Sequence, residues 1–207
     1  MCKRSVIVLA TILAVSVWGG AAADERAAKT PDRPAGVVER LHDCLLDVMR
    51  NAGALGFSGR YERLEPVVAG TYDFQTIPRV VAGSRYRNAP EPVQKRFVEA
   101  FADLSTATYA ARFDGYGGER FETLSVEDAR AGRKLVRTQI VRPNQKPVSL
   151  DYLVHETDAG WRVINVIAEG VSDLSLKRAD YSAYLENHTL EELAAELRKK
   201  AASLAPP

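Results

Sequence analysis

Pro147-Val-Ser-Leu-Asp-Tyr-Leu-Val-His-Glu156 and Gly160-Trp-Arg-Val-Ile-Asn-Val-Ile-Ala-Glu169 decide the fold class. In the first stretch Leu150, Tyr152 and Val154 point to one side, and Asp151 and His155 to the other, with Leu153 on the polar side. That is a period of two, the signature of a strand. In the second, Trp161, Val163 and Ile167 alternate with Arg162, Ile164 and Val166, so both faces are largely apolar. Such a strand is covered on both sides, by helices or by a bound apolar body. The same period runs through 119–128 and 133–142. The separators are Ala131-Gly132, Pro143-Asn-Gln-Lys-Pro147 and Thr157-Asp-Ala-Gly160. These are hairpin-length connections, which predict a four-stranded antiparallel meander over 119–128, 133–142, 147–156 and 160–169.

On either side of the meander the period changes to that of a helix. Val38, Leu41, Leu45, Val48 and Met49 predict a helix over 36–52, closed by Gly53 and Gly56. A short helix follows over about 60–70, with Pro66 weakening its middle. Asp73 is placed to cap another short helix that carries Phe74, Ile77 and Val81 and ends at Gly83. Pro90 and Pro92 suit a helix N-terminus, and Val93, Phe97, Phe101 and Leu104 share one face of a long helix reaching about Phe113. After the meander, Ser172 or Asp173 opens a helix to about Leu185. Thr189-x-x-Glu192 is a capping box before Leu190, Leu193 and Leu197. The order is N-terminal helices, meander, C-terminal helices: an α+β fold in a single domain.

The chain has 207 residues, 46% apolar and 27% charged, which is enough for one hydrophobic core. With 28 basic against 27 acidic side chains, no excess is available to neutralise a phosphate backbone, so nucleic acid is not an expected partner. Residues 1–23 read as a signal peptide. Lys3 and Arg4 precede the apolar run Val6–Trp18, and Ala21-Ala-Ala23 offers a small-residue cleavage site. Residues 24–35, DERAAKTPDRPA, carry little that could be buried and read as a flexible tether. The folded domain is expected over 36–204. Cleavage would remove Cys2 and leave Cys44 without an intramolecular partner, a small buried hydrophobe rather than half of a disulfide.

Chemical motifs are scarce. His42, His155 and His188 make no H-E-x-x-H, and Gly115, Gly117 and Gly118 make no phosphate fingerprint. Ser172 does not lie in G-x-S-x-G. Asp128, Asp151, Asp158 and Glu169 read as surface charge on a sheet. The expectation is a protein that is not an enzyme and holds no metal or cofactor. Arg79, Arg85, Arg87 and Arg96 form a basic stretch suited to docking. What remains is a surplus of large apolar side chains: Phe74, Ile77, Val81, Phe97, Phe101, Leu104, Tyr109, Phe121, Tyr152, Trp161, Val163 and Ile167. Periodicity alone leaves two readings of them open, a packed core or the wall of a cavity.

Two segments resemble a known family. Tyr72-Asp-Phe-Gln-Thr-Ile-Pro-Arg-Val-Val-Ala-Gly83, with Tyr86, Ala89-Pro90, Gln94, Phe97 and Phe101 after it, is similar to the Asp-Phe-x-x-Ile region of the MlaC/toluene-tolerance family. Ala82 stands where that family usually has Leu. Gly160-Trp-Arg-Val-Ile-Asn-Val-Ile-Ala-Glu-Gly-Val-Ser172 resembles its G-W-(K/R)-(V/I)-x-D-(V/I)-x-x-E-G-V-S strand, with Asn165 in place of the usual Asp. The likeness spans roughly 36–202. Leu174-Ser-Leu-Lys-Arg-Ala-Asp-Tyr181 looks closer to the hopanoid-associated HpnM branch. The resemblance implies an NTF2-like or cystatin-like sheet with helices around an apolar pocket, walled by the twelve residues just named. It implies a periplasmic carrier of phospholipid or hopanoid, working between an inner-membrane transporter complex, of ABC or RND type, and an outer-membrane component. The competing expectation is a periplasmic binding or scaffold module with no lipid cavity.

Overall fold

Two glycines and one aspartate shape the N-terminal half. The computed structural model describes residues 33–205. The expected signal peptide and nearly all of the expected tether lie outside that range. Helix α1 (Pro34–Arg50) begins two residues earlier than the sequence pattern suggests, because Pro34 suits the first helical turn and Ala35 is already buried. Helix α2 (Ala52–Thr71) takes in the whole stretch that the sequence divides. Gly56 (φ 59°, ψ −170°) kinks it rather than ending it, a backbone state that glycine reaches without strain. Gly83 (φ 55°, ψ −127°) does the same within α3 (Ile77–Arg87), so that helix bends and continues where a stop is predicted. Helix α4 (Glu91–Arg112) follows the expected course.

The meander forms as predicted, with β1 (Arg120–Asp128), β2 (Lys134–Val141), β3 (Val148–Thr157) and β4 (Gly160–Ala168), each antiparallel to the next. A fifth strand, β5 (Val171–Ser172), extends the count beyond the expected four. It exists because Glu169 (φ 49°) and Gly170 (φ 81°) both take positive φ, the geometry of a two-residue hairpin that folds the chain straight back on β4. Helices α5 (Asp173–Tyr184) and α6 (Leu190–Ser203) complete the chain, and the Thr189–Glu192 capping box forms as read from the sequence.

Two bulges alter the sheet. Thr123 faces Thr138 and Ser125 faces Arg137, so Leu124 is extra on β1. Leu153 faces Asn165 and Val154 faces Val163, so Ile164 is extra on β4. An extra residue inverts the alternation beyond it. Val166, not Ile167, therefore packs with Trp161 and Val163 against the sheet-side core. The simple alternation expected for this strand fails at that point.

The core has two parts. One joins Val37, Val38, Leu41, Leu45 and Val48 of α1 and Leu64 and Val68 of α2 to Val136, Tyr152, Val154 and Val163 of the sheet. The other lies among the helices: Ile77, Val81, Phe97, Phe101, Leu104, Leu185, Leu193 and Leu197. Each fully buried aliphatic or aromatic side chain here contributes about 1.5–3 kcal/mol. Helix α4 runs past both cores, giving Ala110 to the first and Phe97–Leu104 to the second. Tyr72 and Phe74, at the junction of α2 and α3, pack against both.

Candidate functional site

The junction is fixed from its backbone outward. Tyr72 leaves the helix in extended geometry and forms a parallel bridge with Val163 on the open side of β4. The Asp73 N–H donates to the Val163 carbonyl at 3.0 Å. Asp73 Oδ1 accepts from the backbone N–H groups of Gln75 (2.9 Å) and Thr76 (2.8 Å), the turn chemistry by which a carboxylate starts a helix. Asp73 Oδ2 lies 2.7 Å from His155 Nε2 on β3. Burial pushes the Asp73 carboxyl up, but hydrogen bonds from Thr76, Gln75 and His155 outweigh it and hold the group below its ordinary value. The capping role expected of Asp73 is thus present, together with a link to the sheet that no spacing in the sequence announces.

From this junction a chain of aromatic rings runs in both directions. Toward the helices, Tyr72 lies beside Phe74, Phe74 meets Phe101 edge-on, and Phe101 continues to Phe97 and Tyr86. Toward the sheet, Tyr72 neighbours Tyr109, then Phe113, Phe121, His42 and Tyr152. Centroid separations along the chain run from 4.0 Å for His42 on Phe121 to 6.4 Å for Phe113 and Phe121. This seam crosses the boundary between the two cores.

Its polar atoms stay neutral. The His42 ring, buried and stacked on Phe121, shares a 3.0 Å hydrogen bond between Nε2 and the Tyr152 hydroxyl. Burial drives its pKa down to about 3. The hydroxyls of Tyr72 and Tyr109 hydrogen-bond to each other. Burial raises Tyr109 to about 12 and carries Tyr72 and Tyr152 well above the ordinary phenol value. These four groups offer hydrogen bonds.

The twelve residues singled out from the sequence divide accordingly. Ile77, Val81, Phe97, Phe101 and Leu104 lie in the helical core. Tyr152 and Val163 lie in the sheet-side core, with Tyr109, Phe121 and Trp161 half-buried against it. Phe74 joins both. Ile167, displaced by the bulge, stands apart from Val163. Six of the twelve are links of the ring seam. The other four links, His42, Tyr72, Tyr86 and Phe113, are not among the twelve. His42 belongs to no local motif, and its partners Phe121 and Tyr152 are distant in the chain. Among the carboxylates, Asp151 meets Arg137 at 3.2 Å and Asp128 meets Lys134, and no group of three or more metal-ligating side chains occurs among the described residues. Cys44 is half-buried, and burial pushes its thiol up. The basic stretch divides too. Arg96 is bound to Glu191 at 2.6 Å, while Arg79, Arg85 and Arg87 lie exposed on α3.

Two surface cavities stand out. One of about 280 Å³ lies between α3 and α5 and is lined by Val80–Arg85, Arg178, Ser182, Leu185 and Glu186. The other, about 480 Å³, lies between α2, α4 and the end of α6, against Phe57, Tyr61, Asp103 and Ala107. Of the twelve residues, only Val81 lines either of them. Along the seam the rings rest on one another.

The strand end at Glu169–Ser172 is a bracket. Glu169 returns its carboxylate Oε1 to the Ser149 N–H, and its own N–H donates to the Ser149 carbonyl at 3.1 Å. Asn165 Oδ1 accepts from the Ser172 hydroxyl and the Leu174 N–H, both at 3.1 Å. Ser172 Oγ caps α5 through the Ser175 N–H. Sheet and helix are thereby held at a set angle. A family model described as MlaC protein matches residues 39–199. The chain belongs to the MlaC family. Both segments that carried the resemblance are structural hubs in this MlaC protein: Tyr72–Phe74 at the seam, and Asn165 with Glu169–Ser172 at the bracket. Asn165 performs, with its amide oxygen, the acceptor role open to the Asp usual at that position. The fold is also that of a solved structure, the phospholipid-binding protein from Ralstonia solanacearum in complex with a phospholipid. That structure has a TM-score of 0.72 and 19% identity to this MlaC chain, covering 84% of it and 99% of its own length.

Proposed function

We propose that this protein is a lipid carrier that opens along the aromatic seam to hold the acyl or ring portion of a phospholipid or hopanoid between the sheet and helices α3–α6. The observation that carries this reading is the seam itself. It runs from one core to the other, and its central members Tyr72, Phe74, Tyr109 and Phe121 are only partly buried. Tyr72 and Phe74, which pack against both cores without being fully buried in either, mark where the boundary between them would part. Membership of the MlaC family and the phospholipid held by the Ralstonia protein support the reading. A lipid needs such a carrier because each methylene kept from water is worth about 0.8 kcal/mol. The seam's neutral hydroxyls suit uncharged oxygens of a lipid, and the protein is read as a carrier and not an enzyme. Residues 1–23 direct it to the periplasm. There it exchanges cargo with an inner-membrane transporter complex and an outer-membrane component. Native mass spectrometry of the purified chain from Asp24 should show one lipid bound per protein, and extraction should separate phospholipid from hopanoid. Protein that is empty and takes up nothing from vesicles would overturn the proposal in favour of a scaffold module.

A further inference from the structure

We propose that the cleft between α3 and α5 is a headgroup site, with the charge pattern of a phosphate joined to a primary ammonium, as in phosphoethanolamine. The proposal rests on the carrier reading and adds the headgroup chemistry. The bend at Gly83 makes the cleft, turning Ser84 and Arg85 out of the line of Val80 and Val81. Opposite, Arg178 and Ser182 are four residues apart on one face of α5, and Glu186 follows in the turn just after that helix. The floor is apolar: Val81, Ala82 and Leu185 are buried there. The walls are polar: Ser84, Arg85, Arg178, Ser182 and Glu186 are exposed.

The charges that line this cleft are unspent, whereas their neighbours are paired. Lys177, one residue from Arg178, is tied to Asp173, and Arg96 is tied to Glu191. Among the described residues, Arg85, Arg178 and Glu186 form no ion pair. Two guanidinium groups present planar donors suited to phosphate oxygens, and the two serine hydroxyls can add further donors. Glu186 in the same cleft repels a bare anion but accepts hydrogen bonds from an ammonium. Two cations and one anion therefore match a zwitterion better than a free phosphate. A quaternary ammonium has no N–H to give Glu186, so choline is disfavoured against ethanolamine. Size agrees: about 280 Å³ is just under the roughly 300–1,000 Å³ of a pocket for a whole drug-sized ligand, so the cleft takes a headgroup and not a lipid.

The test separates the headgroup from the chains. Delipidated chain from Asp24, folded by circular dichroism, is titrated in ¹⁵N–¹H spectra with glycerophosphoethanolamine, glycerophosphocholine and inorganic phosphate, none of which has an acyl chain. Amide shifts are expected at Ser84, Arg85, Arg178, Ser182 and Glu186, with glycerophosphoethanolamine binding at least fivefold more tightly than the other two. Arg85→Gln with Arg178→Gln should weaken it tenfold or more. Glu186→Gln should remove the preference over choline while phosphate binding stays or strengthens. Shifts absent from these amides, phosphate binding equal to glycerophosphoethanolamine, or an unaffected double variant would each overturn the headgroup site. Lipid load measured in parallel keeps the two readings apart. Loaded protein without these shifts refutes the cleft alone, and protein that never loads but shows them refutes the carrier reading alone.

Discussion

Asp73 ties three elements together, and its replacement separates their contributions. Asp73→Ala removes the two N–H acceptances that start α3, worth about 1 kcal/mol as a cap, and the 2.7 Å bond to His155, worth about 1.5–3 kcal/mol as a hydrogen bond to a charged group. The expected loss is about 2–4 kcal/mol. For a domain of this size that lowers Tm by on the order of 10 °C. Asp73→Asn keeps an oxygen for the turn and loses the charge, so about half that loss is expected. The charge contribution depends on pH with a definite sign. The folded-state pKa lies below the unfolded value of about 3.9. The contribution is therefore complete above that value and is lost as pH falls through the folded pKa. Thermal unfolding followed by circular dichroism from pH 7 to pH 2 should show wild type and Asp73→Asn converging in acid. A gap that stays constant or widens on acidification, or an Asp73→Ala loss under about 0.5 kcal/mol, would refute the reasoning.

Three further outcomes follow from the same geometry. Tyr152→Phe leaves the buried His42 nitrogen without its partner and should cost about 1–3 kcal/mol in denaturant unfolding. Tyr152→Phe combined with His42→Leu should cost less than the two single changes added together. Gly83→Ala meets no side chain at the new methyl group but forces a non-glycine residue to φ 55°, so a loss of about 1–3 kcal/mol is expected from backbone strain alone. Trp161 is the single tryptophan remaining once residues 1–23 are removed. Its emission should move on delipidation and return on reloading if it borders the opened seam. Trp161→Ala, at a half-buried position, should cost less than the roughly 3–5 kcal/mol of a fully buried tryptophan.

Most of the secondary structure was legible because its signals are local. The 3.6-residue spacing of α1 and α4, the turn residues between strands and the Thr189–Glu192 box all act over a few positions. The features that escaped depend on distance or on a single extra residue. Nothing in the pattern at Ile164 marks it as a bulge, and that one residue moves Ile167 away from Val163. The sequence predicts stops at Gly56 and Gly83, because it shows that a glycine can break a helix and not whether tertiary contacts carry the helix onward. Six of the twelve apolar residues belong to the seam. Their division between two cores depends on how α2 and α3 are joined at Tyr72–Phe74, and an amphipathic pattern records only which side is inward.

The extra residue on β1 bears on how the chain behaves in company. Among the described residues the outer side of β1 has no neighbouring strand, and it displays Leu124 at 58% and Val126 at 44% exposure. A straight nine-residue border with such side chains would be a template on which another unfolded or extended chain could zip, one hydrogen bond after the next. The extra residue at Leu124 puts the border's donors and acceptors out of step midway, and Glu122, Glu127 and Asp128 add charge around the break. A chain without Leu124 would recover an even border, and with it a more open route to fibrous self-association.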